Sequence, residues 1–428
     1  MQTISEHGYE QATVTQIIGV AGVSRATFYE HFASKEACFL NALENVERGI
    51  LTAALSSIEA GSHQSAIAAA IAALATFAQE HPAYASLLMN ATMAAGPRAL
   101  DARDHGVGAI ARLVGSAEQW IGTGTPMPVL PTEVLIGTAY RLLGSRLRRG
   151  EHRQESVQED LLDWIADYED PTGRTRWSRP ATALAPVRSP PPARAPLRTP
   201  APLTPGRPRG SSLSVDENHR LRIIFATAEI IRRDGYPAAS VAEITRAAQV
   251  DSRVFYSLFA GKNDAFRALR EFAFQHAMAV TAGAFFAVEQ WPRRIWEAAR
   301  AFTDFLEQNR TLTDACLIES DAGGPETVQR FEDLVAGCTI FLQEGYHYQP
   351  HTDGSLPSRV ALDAIAQAVL EIIYRRIRSF GSNMTELAGQ VAFVCLAPFV
   401  GAAKANELID EMRGSRALGP GAGAELWN

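Results

Sequence analysis

GYEQATVTQIIGVAGVSRATFYEHFASKEACFLN, residues 8–41, returns as GYPAASVAEITRAAQVDSRVFYSLFAGKNDAFRA at residues 235–268. At a constant offset of 227 residues and without a gap, 13 of the 34 positions are identical. The matches include Gly8/Gly235, Tyr9/Tyr236, Val23/Val250, the pairs Phe28-Tyr29 and Phe255-Tyr256, Phe32/Phe259 and Lys35/Lys262. So long a period means two whole modules in one chain rather than a solenoid of small units.

Within the first copy Val14, Ile17 and Ala21 fall on one face at helical spacing. Thr13 followed by Gln16 predicts a capping box at the start of that helix, repeated by Ser240 and Glu243. Gly22-Val23-Ser24 supplies a turn, with Gly22 free to take positive φ and Val23 expected to plug the core. Ser24, or Asp251 in the second copy, caps the next helix, and a third helix starts at Ser34-Lys35-Glu36. Short helix, tight turn and short helix form a helix-turn-helix, whose second helix can enter a major groove. Phe28 and Phe32 should point inward, leaving Arg25, Ala26, Thr27, Tyr29, Glu30 and His31 outside. Arg25 can pair bidentately with guanine, Thr27 can meet a thymine methyl or a phosphate, and Tyr29 and His31 can donate to phosphate oxygens. Lys35 opens the following helix, where ammonium and helix end together favour an anion.

Between Pro171 and Leu213 the chain holds eight arginines, eleven prolines and no acidic residue. The net charge of -7 therefore hides about -15 on the remainder. Such a segment buries too little apolar surface to fold and reads as a stiffened, disordered linker. Its arginines serve solubility or add non-specific attraction to DNA phosphates. With 428 residues, 46% apolar and 20% charged, the chain is long enough for several globular domains. Cys38, Cys316, Cys338 and Cys395 have no metal-ligand spacing and read as buried apolar residues in a reducing compartment. No basic stretch followed by an apolar run opens the sequence and no run of 18 apolar residues occurs, so neither a signal peptide nor a membrane span is expected, and the expected compartment is the cytoplasm.

The run TVTQIIGVAGVSRATFYEHFASKEACF, residues 13–39, closely resembles the DNA-binding domain of tetracycline-repressor (TetR) family regulators. In that family Thr-Val opens the first helix of the motif, A-G-V-S makes the turn and R-x-T-F-Y-x-H-F is the recognition helix. SVAEITRAAQVDSRVFYSLFAGKNDAF, residues 240–266, matches the same scaffold more loosely. The resemblance implies an all-α fold with a helix-turn-helix domain and a helical effector-binding and dimerisation domain in each copy. The expected layout is a head at 1–45, a helical domain at 46–170, the linker at 171–213, a second head at 214–275 and a second helical domain at 276–428. It also implies DNA-contacting roles for Thr13, Thr15, Ser24, Arg25, Ala26, Thr27, Tyr29, His31 and Lys35. In the second copy Ser240, Ser252, Arg253, Tyr256 and Lys262 take those roles. The second domains echo each other too: His81-Pro82 through Gly96-Pro97 matches Asn309-Arg310 through Gly324-Pro325, and Arg146–Arg149 matches Arg375–Arg378.

Family members normally act as homodimers on palindromic operators, so two unlike subunits in one chain imply a covalent pseudo-dimer, a quasi-palindromic operator and room for a further homodimer. The expected activity is transcriptional regulation, as a repressor released by a small apolar effector. The copies depart from the family pattern in opposite ways. The first begins a few residues before Gly8 and lacks most of the opening helix, which the second carries from Asn218 to Asp234. An upstream start, a true truncation or a helix supplied by a partner would each account for that. In the second copy Val254, Leu258 and Ala242 replace Thr27, His31 and Thr15, which makes the first copy the better base reader. Residues 1–45 carry a net charge of -3 and residues 214–275 one of +1, little for a DNA-binding surface. A module that binds ligand or protein, with one or both heads inactive on DNA, is the other reading.

Candidate effector-pocket residues are the larger apolar side chains of the second domains: Tyr84, Met89, Met93, Trp120, Trp296, Phe302, Phe305, Phe341 and Tyr374. No catalytic motif of the hydrolase, P-loop, zincin or dinucleotide type occurs. The His347, His351 and Asp353 group reads as a solvated loop, so no enzyme activity, metal or cofactor is expected.

Overall fold

The computed structural model describes residues 3–4, 9, 12–61, 65–90, 92, 95–121, 129–150, 155–169, 196–202, 213–318, 325–348, 356–379 and 383–417. Among them the regular structure is all helical. The first half contains α1 (Val14–Ala21), α2 (Arg25–His31), α3 (Lys35–Glu59), α4 (Ala66–Glu80), α5 (Pro82–Met89), α6 (Pro97–Ile121), α7 (Thr132–Arg148) and α8 (Glu155–Ala166). The second contains α9 (Val215–Asp234), α10 (Val241–Ala248), α11 (Ser252–Leu258), α12 (Lys262–Phe285), α13 (Trp291–Gln308), α14 (Arg310–Ile318) and α15 (Pro325–Gly337). A 3₁₀ stretch at Cys338–His347 follows, then α16 (Arg359–Arg378), α17 (Ala388–Val400) and α18 (Ala402–Ala417). Thus α1–α8 correspond in order to α10–α17, and α9 is the opening helix of the second head.

Local capping sets the helix starts. The Thr13–Gln16 box is complete, with Gln16 N–H on Thr13 Oγ1 and Thr13 N–H on Gln16 Oε1 at 3.3 and 2.8 Å. Ser240 accepts from Glu243 N–H and donates to its carboxylate at 2.7 Å, so the reciprocal half of that box goes through the side chains. A second full box, Ser214 with Glu217, starts α9. Gly22 closes α1 at φ 65°, and Gln249 takes the same left-handed conformation at φ 51° without a glycine's freedom. Val23, expected in the core, is instead 40% exposed. Burial of that position depends on what packs over the turn: Val250, its counterpart, lies against the core beneath α9.

Two long helices carry the heads into the second domains. α3 and α12 each run unbroken through the expected boundaries at 45/46 and 275/276, so those divisions fall inside rigid rods rather than at hinges. In the first half the alanine-rich α4 allows close helix approach and buries ten of its residues. The second head has its own core, built on Ile223, Tyr236, Ile244, Phe255 and Phe266.

The two halves share one core, which runs from Phe39 and Leu43 through Leu142 and Trp164 to Ile372 and Phe393. Across it α7 packs on α16, and α16 packs on both α8 and α17. Tyr168, fully buried, donates to the Val394 carbonyl at 2.9 Å and accepts from Trp164 Nε1 at 3.0 Å. Part of the expected disordered linker makes specific contacts: Leu197 N–H donates to Asn309 Oδ1 at 2.9 Å, and Asn218 Nδ2 donates to Ala201 O at 3.1 Å. Asn309 begins α14 and Asn218 lies in α9, so residues 196–202 lie against the second head. The rest of 171–213 falls outside the described residues, apart from Leu213.

Candidate nucleic-acid interface and effector cavity

The first reading helix is held from below and open above. Phe28 is buried and stacks on Phe32 at a centroid distance of 5.6 Å, while Arg25, Ala26, Tyr29, Glu30 and His31 are exposed. Ser24 Oγ accepts from Thr27 N–H at 3.0 Å and shares a 2.9 Å hydrogen bond with the Thr27 hydroxyl, which orients both side chains at the helix start. The Arg25 guanidinium sits 5.8 Å from the Tyr29 ring, one helical turn away. Tyr29 is 47% exposed, and Thr15 is also exposed. Together they form one face of cation, hydroxyl and aromatic groups, suited to phosphate and base-edge contacts.

The second reading helix has the same frame. Phe255 is buried, Asp251 caps the helix through Arg253 N–H at 2.7 Å, and Ser252, Arg253 and Tyr256 (61% exposed) face outward. Arg253 sits two residues past its cap and Arg25 one past Ser24, so the cations point in different directions around the helix.

Besides Ser24, the cap of α2, four nominated residues have structural work. The Lys35 ammonium donates to the carbonyls of Tyr9 and Ala12 at 2.8 and 3.0 Å and lies 4.4 Å from the Tyr9 ring. Lys262 repeats this on the Tyr236 carbonyl and ring at 2.9 and 4.3 Å. The Tyr/Lys pair, 26 residues apart in each copy, ties the start of the long helix to the chain ahead of the motif. Thr13 and Ser240 are occupied as helix caps.

The candidate pocket residues scatter. Phe302, Phe305 and Phe341 do line one cavity, about 170 Å³ in volume, walled within the second half by α12–α17 and the 3₁₀ stretch. Its wall is almost wholly apolar, and the buried Arg270, whose guanidinium lies 3.9 Å from the Phe331 ring, is its charged component. Cys316, Cys338 and Cys395 also line it, and burial pushes all three thiols up to about 12, which leaves them unreactive apolar groups. Trp296 is core rather than wall, and Tyr84 is 44% exposed on the surface. Met89 lies at a small cleft between the halves, and Tyr374 belongs to a buried ionic cluster at the same junction. Met93 and the Trp120 side chain lie outside the described residues, as do His351 and Asp353. The described residues contain no cluster able to hold a metal, and no described helix is long and apolar enough to cross a membrane.

That ionic cluster was not legible as a site. Glu371, fully buried on α16, accepts from Arg103 of α6 at 2.7 Å and Arg141 of α7 at 2.9 Å. Burial opposes ionisation, but the two guanidinium groups outweigh it and hold the carboxyl down at about 2. Burial also disfavours the Arg103 charge, yet Glu371 keeps that cation firmly protonated. Tyr374 donates to Asp104 at 3.0 Å, and Arg378 pairs with Asp104 at 2.9 Å and with Asp101. The one sequence signal was the echo of the basic helix ends Arg146–Arg149 and Arg375–Arg378.

Two heads of short helix, tight turn and outward second helix, each borne on a long helix into a helical domain, define a fold of the TetR helix-turn-helix type. Residues 1–42 and 223–269 match the family model described as bacterial regulatory proteins, tetR family. Among solved structures, the fatty acid degradation regulator FadR from Bacillus halodurans is 18% identical, covers 42% of this chain and 94% of its own, and superposes at a TM-score of 0.37. A tetR-family regulatory protein from Rhodococcus RHA1 is 18% identical, with 43% and 98% covered and a TM-score of 0.36. FadR from Bacillus subtilis, in complex with stearoyl-CoA, is 16% identical, with 42% and 98% covered and a TM-score of 0.35. No curated protein matches the chain.

Proposed function

We propose that this chain is a DNA-binding transcriptional regulator that acts as a covalent pseudo-dimer on a quasi-palindromic operator. The observation that carries the reading is the pair of outward reading helices, α2 and α11, on two halves joined through α7, α8, α16 and α17. In the proposed action it represses, and a small apolar molecule in the cavity of the second half releases it. Unlike faces, Arg25–Tyr29 and Arg253–Tyr256, call for unlike half-sites. The charge of the heads, -3 over residues 1–45 and +1 over 214–275, favours a second reading, a ligand-binding or protein-interaction module with one or both heads inactive on DNA. A gel shift against DNA flanking its own gene, with excess non-specific competitor and mass read by light scattering, separates the two. A specific shift by a 46.4 kDa species supports the pseudo-dimer. A specific shift by a larger species supports pairing between chains, and no specific shift supports the silent module.

A further inference from the structure

We infer that the two halves are charge-coded for each other, so that each pairs with its unlike neighbour and neither with a second copy of itself; this rests on the pseudo-dimer reading. The frame comes from matched positions. Pro97 and Pro325 open α6 and α15, and Asp104 and Glu332 each stand seven residues further on. Arg148 and Arg378 each end their helix, α7 or α16, on Arg-Leu-Arg and Arg-Ile-Arg. Arg148 pairs with Glu332 of the other half, and Arg378 pairs with Asp104 of the other half at 2.9 Å. The contacts are reciprocal, as a two-fold interface requires.

Seven residues before each of those arginines stand Arg141 and Glu371, which are therefore counterparts, and they touch each other at 2.9 Å. In an isologous interface a residue meets its own counterpart only on the axis. A symmetric dimer of first halves would place Arg141 against Arg141, and one of second halves Glu371 against Glu371. Burial makes that conflict severe, because Glu371 is 0% exposed. The charged groups facing it are Arg103 and Arg141 from the first half and Arg375, at 3.9 Å, from its own helix. Arg103, one residue before Asp104, has Phe331 as its counterpart, so a second half supplies no matching cation across the axis. Gly137 completes the fit: a Cβ there would overlap the Glu371 carboxyl.

The test uses two full-length variants, Arg141→Glu and Glu371→Arg. Every pairing that either variant can make alone, within a chain or between chains, sets like charges on the axis. Mixed or co-expressed, the two become complementary between chains. Light scattering should therefore find each variant alone melting below wild type without a stable two-chain species. The mixture should form a complex of twice the 46.4 kDa chain. If the single variants precipitate, soluble two-chain complex from co-expression alone supports the code, and precipitation there too overturns it. Single variants that melt like wild type, or that self-associate as well as the mixture does, also overturn it. The wild-type mass reads the pseudo-dimer separately: a one-chain wild type supports that reading, a two-chain one points to pairing between chains or to a further homodimer, and the mixing result decides the charge code in either case.

Discussion

Arg25 follows its cap, Ser24, by one residue, whereas Arg253 follows Asp251 by two. On an α-helix one residue is about 100° of rotation. The two guanidinium groups therefore address a groove at different angles, although Tyr29 and Tyr256 stand at matched positions. The first head keeps the Ser24–Thr27 hydroxyl pair, while the second has Val254 in place of Thr27. Replacing Arg25 and Tyr29 together by Ala should abolish operator preference, since one bidentate arginine–guanine pair discriminates by about 1–3 kcal/mol. The same change at Arg253 and Tyr256 should weaken binding more evenly across sequences. Anisotropy titrations on operator and scrambled DNA would show it, and equal losses from both pairs would remove the dominance of the first head. Lys35 teaches a separate lesson at this scale. Its place before a helix suggests an anion site, but Tyr9 and Ala12 carbonyls lie within reach of its ammonium. A lysine's partner depends on chain folded back from elsewhere, which local spacing does not show.

The helices divide into what local chemistry dictates and what packing decides. Caps at Thr13, Ser24, Ser34, Ser240 and Asp251 depend on residues three apart or fewer, so they are readable from the sequence. Burial of the turn is not: α1 has no fully buried residue, whereas α10 buries Ile244, Thr245 and Ala248 under α9. The same periodic pattern thus yields an open face in one copy and a packed one in the other. On the rod α3 a carboxylate stands in the core: Glu47 is buried against α6 at Gly106, with its Oε1 unbonded among the described residues. Burial first, and then Glu44, push its carboxyl up to about 7. A raised carboxyl holds its proton better folded than unfolded. Its penalty is therefore absent below the ordinary value near 4.5, grows as pH rises toward 7 and is complete above that. Glu47→Gln should accordingly stabilise the protein by roughly 2–3 kcal/mol at pH 8 and hardly at all at pH 4. Urea unfolding at the two pH values checks this, and an equal gain at both would show that the carboxyl is not the cause.

At the scale of the molecule, the 227-residue repeat made two modules legible and the Pro/Arg composition marked the join. The charges that fit one half to the other were illegible, because Arg103, Arg141 and Glu371 lie up to 268 residues apart and meet only in the folded interface. Large apolar side chains in both halves were the pocket candidates, but only Phe302, Phe305 and Phe341 reach the cavity of the second half, since a stripe of large side chains does not tell wall from core. That cavity and the second head share one rod. α12 starts at Lys262 beside the reading helix and lines the cavity at Arg270, Ala273 and Ala277. A molecule that shifts α12 in the cavity must move the head, and a ligand acts only through its preference between two such arrangements. Apolar cavities of roughly 150 Å³ accept benzene-sized guests, so indole is a fitting probe for one of about 170 Å³. Indole should raise the melting temperature and weaken operator binding. By linkage, operator DNA should weaken indole binding by the same factor. Ala299→Phe, which fills the cavity from α13, should remove both effects while leaving operator affinity without indole near wild type. Indole that binds yet leaves operator affinity unchanged would separate the cavity from the heads and leave it a packing defect.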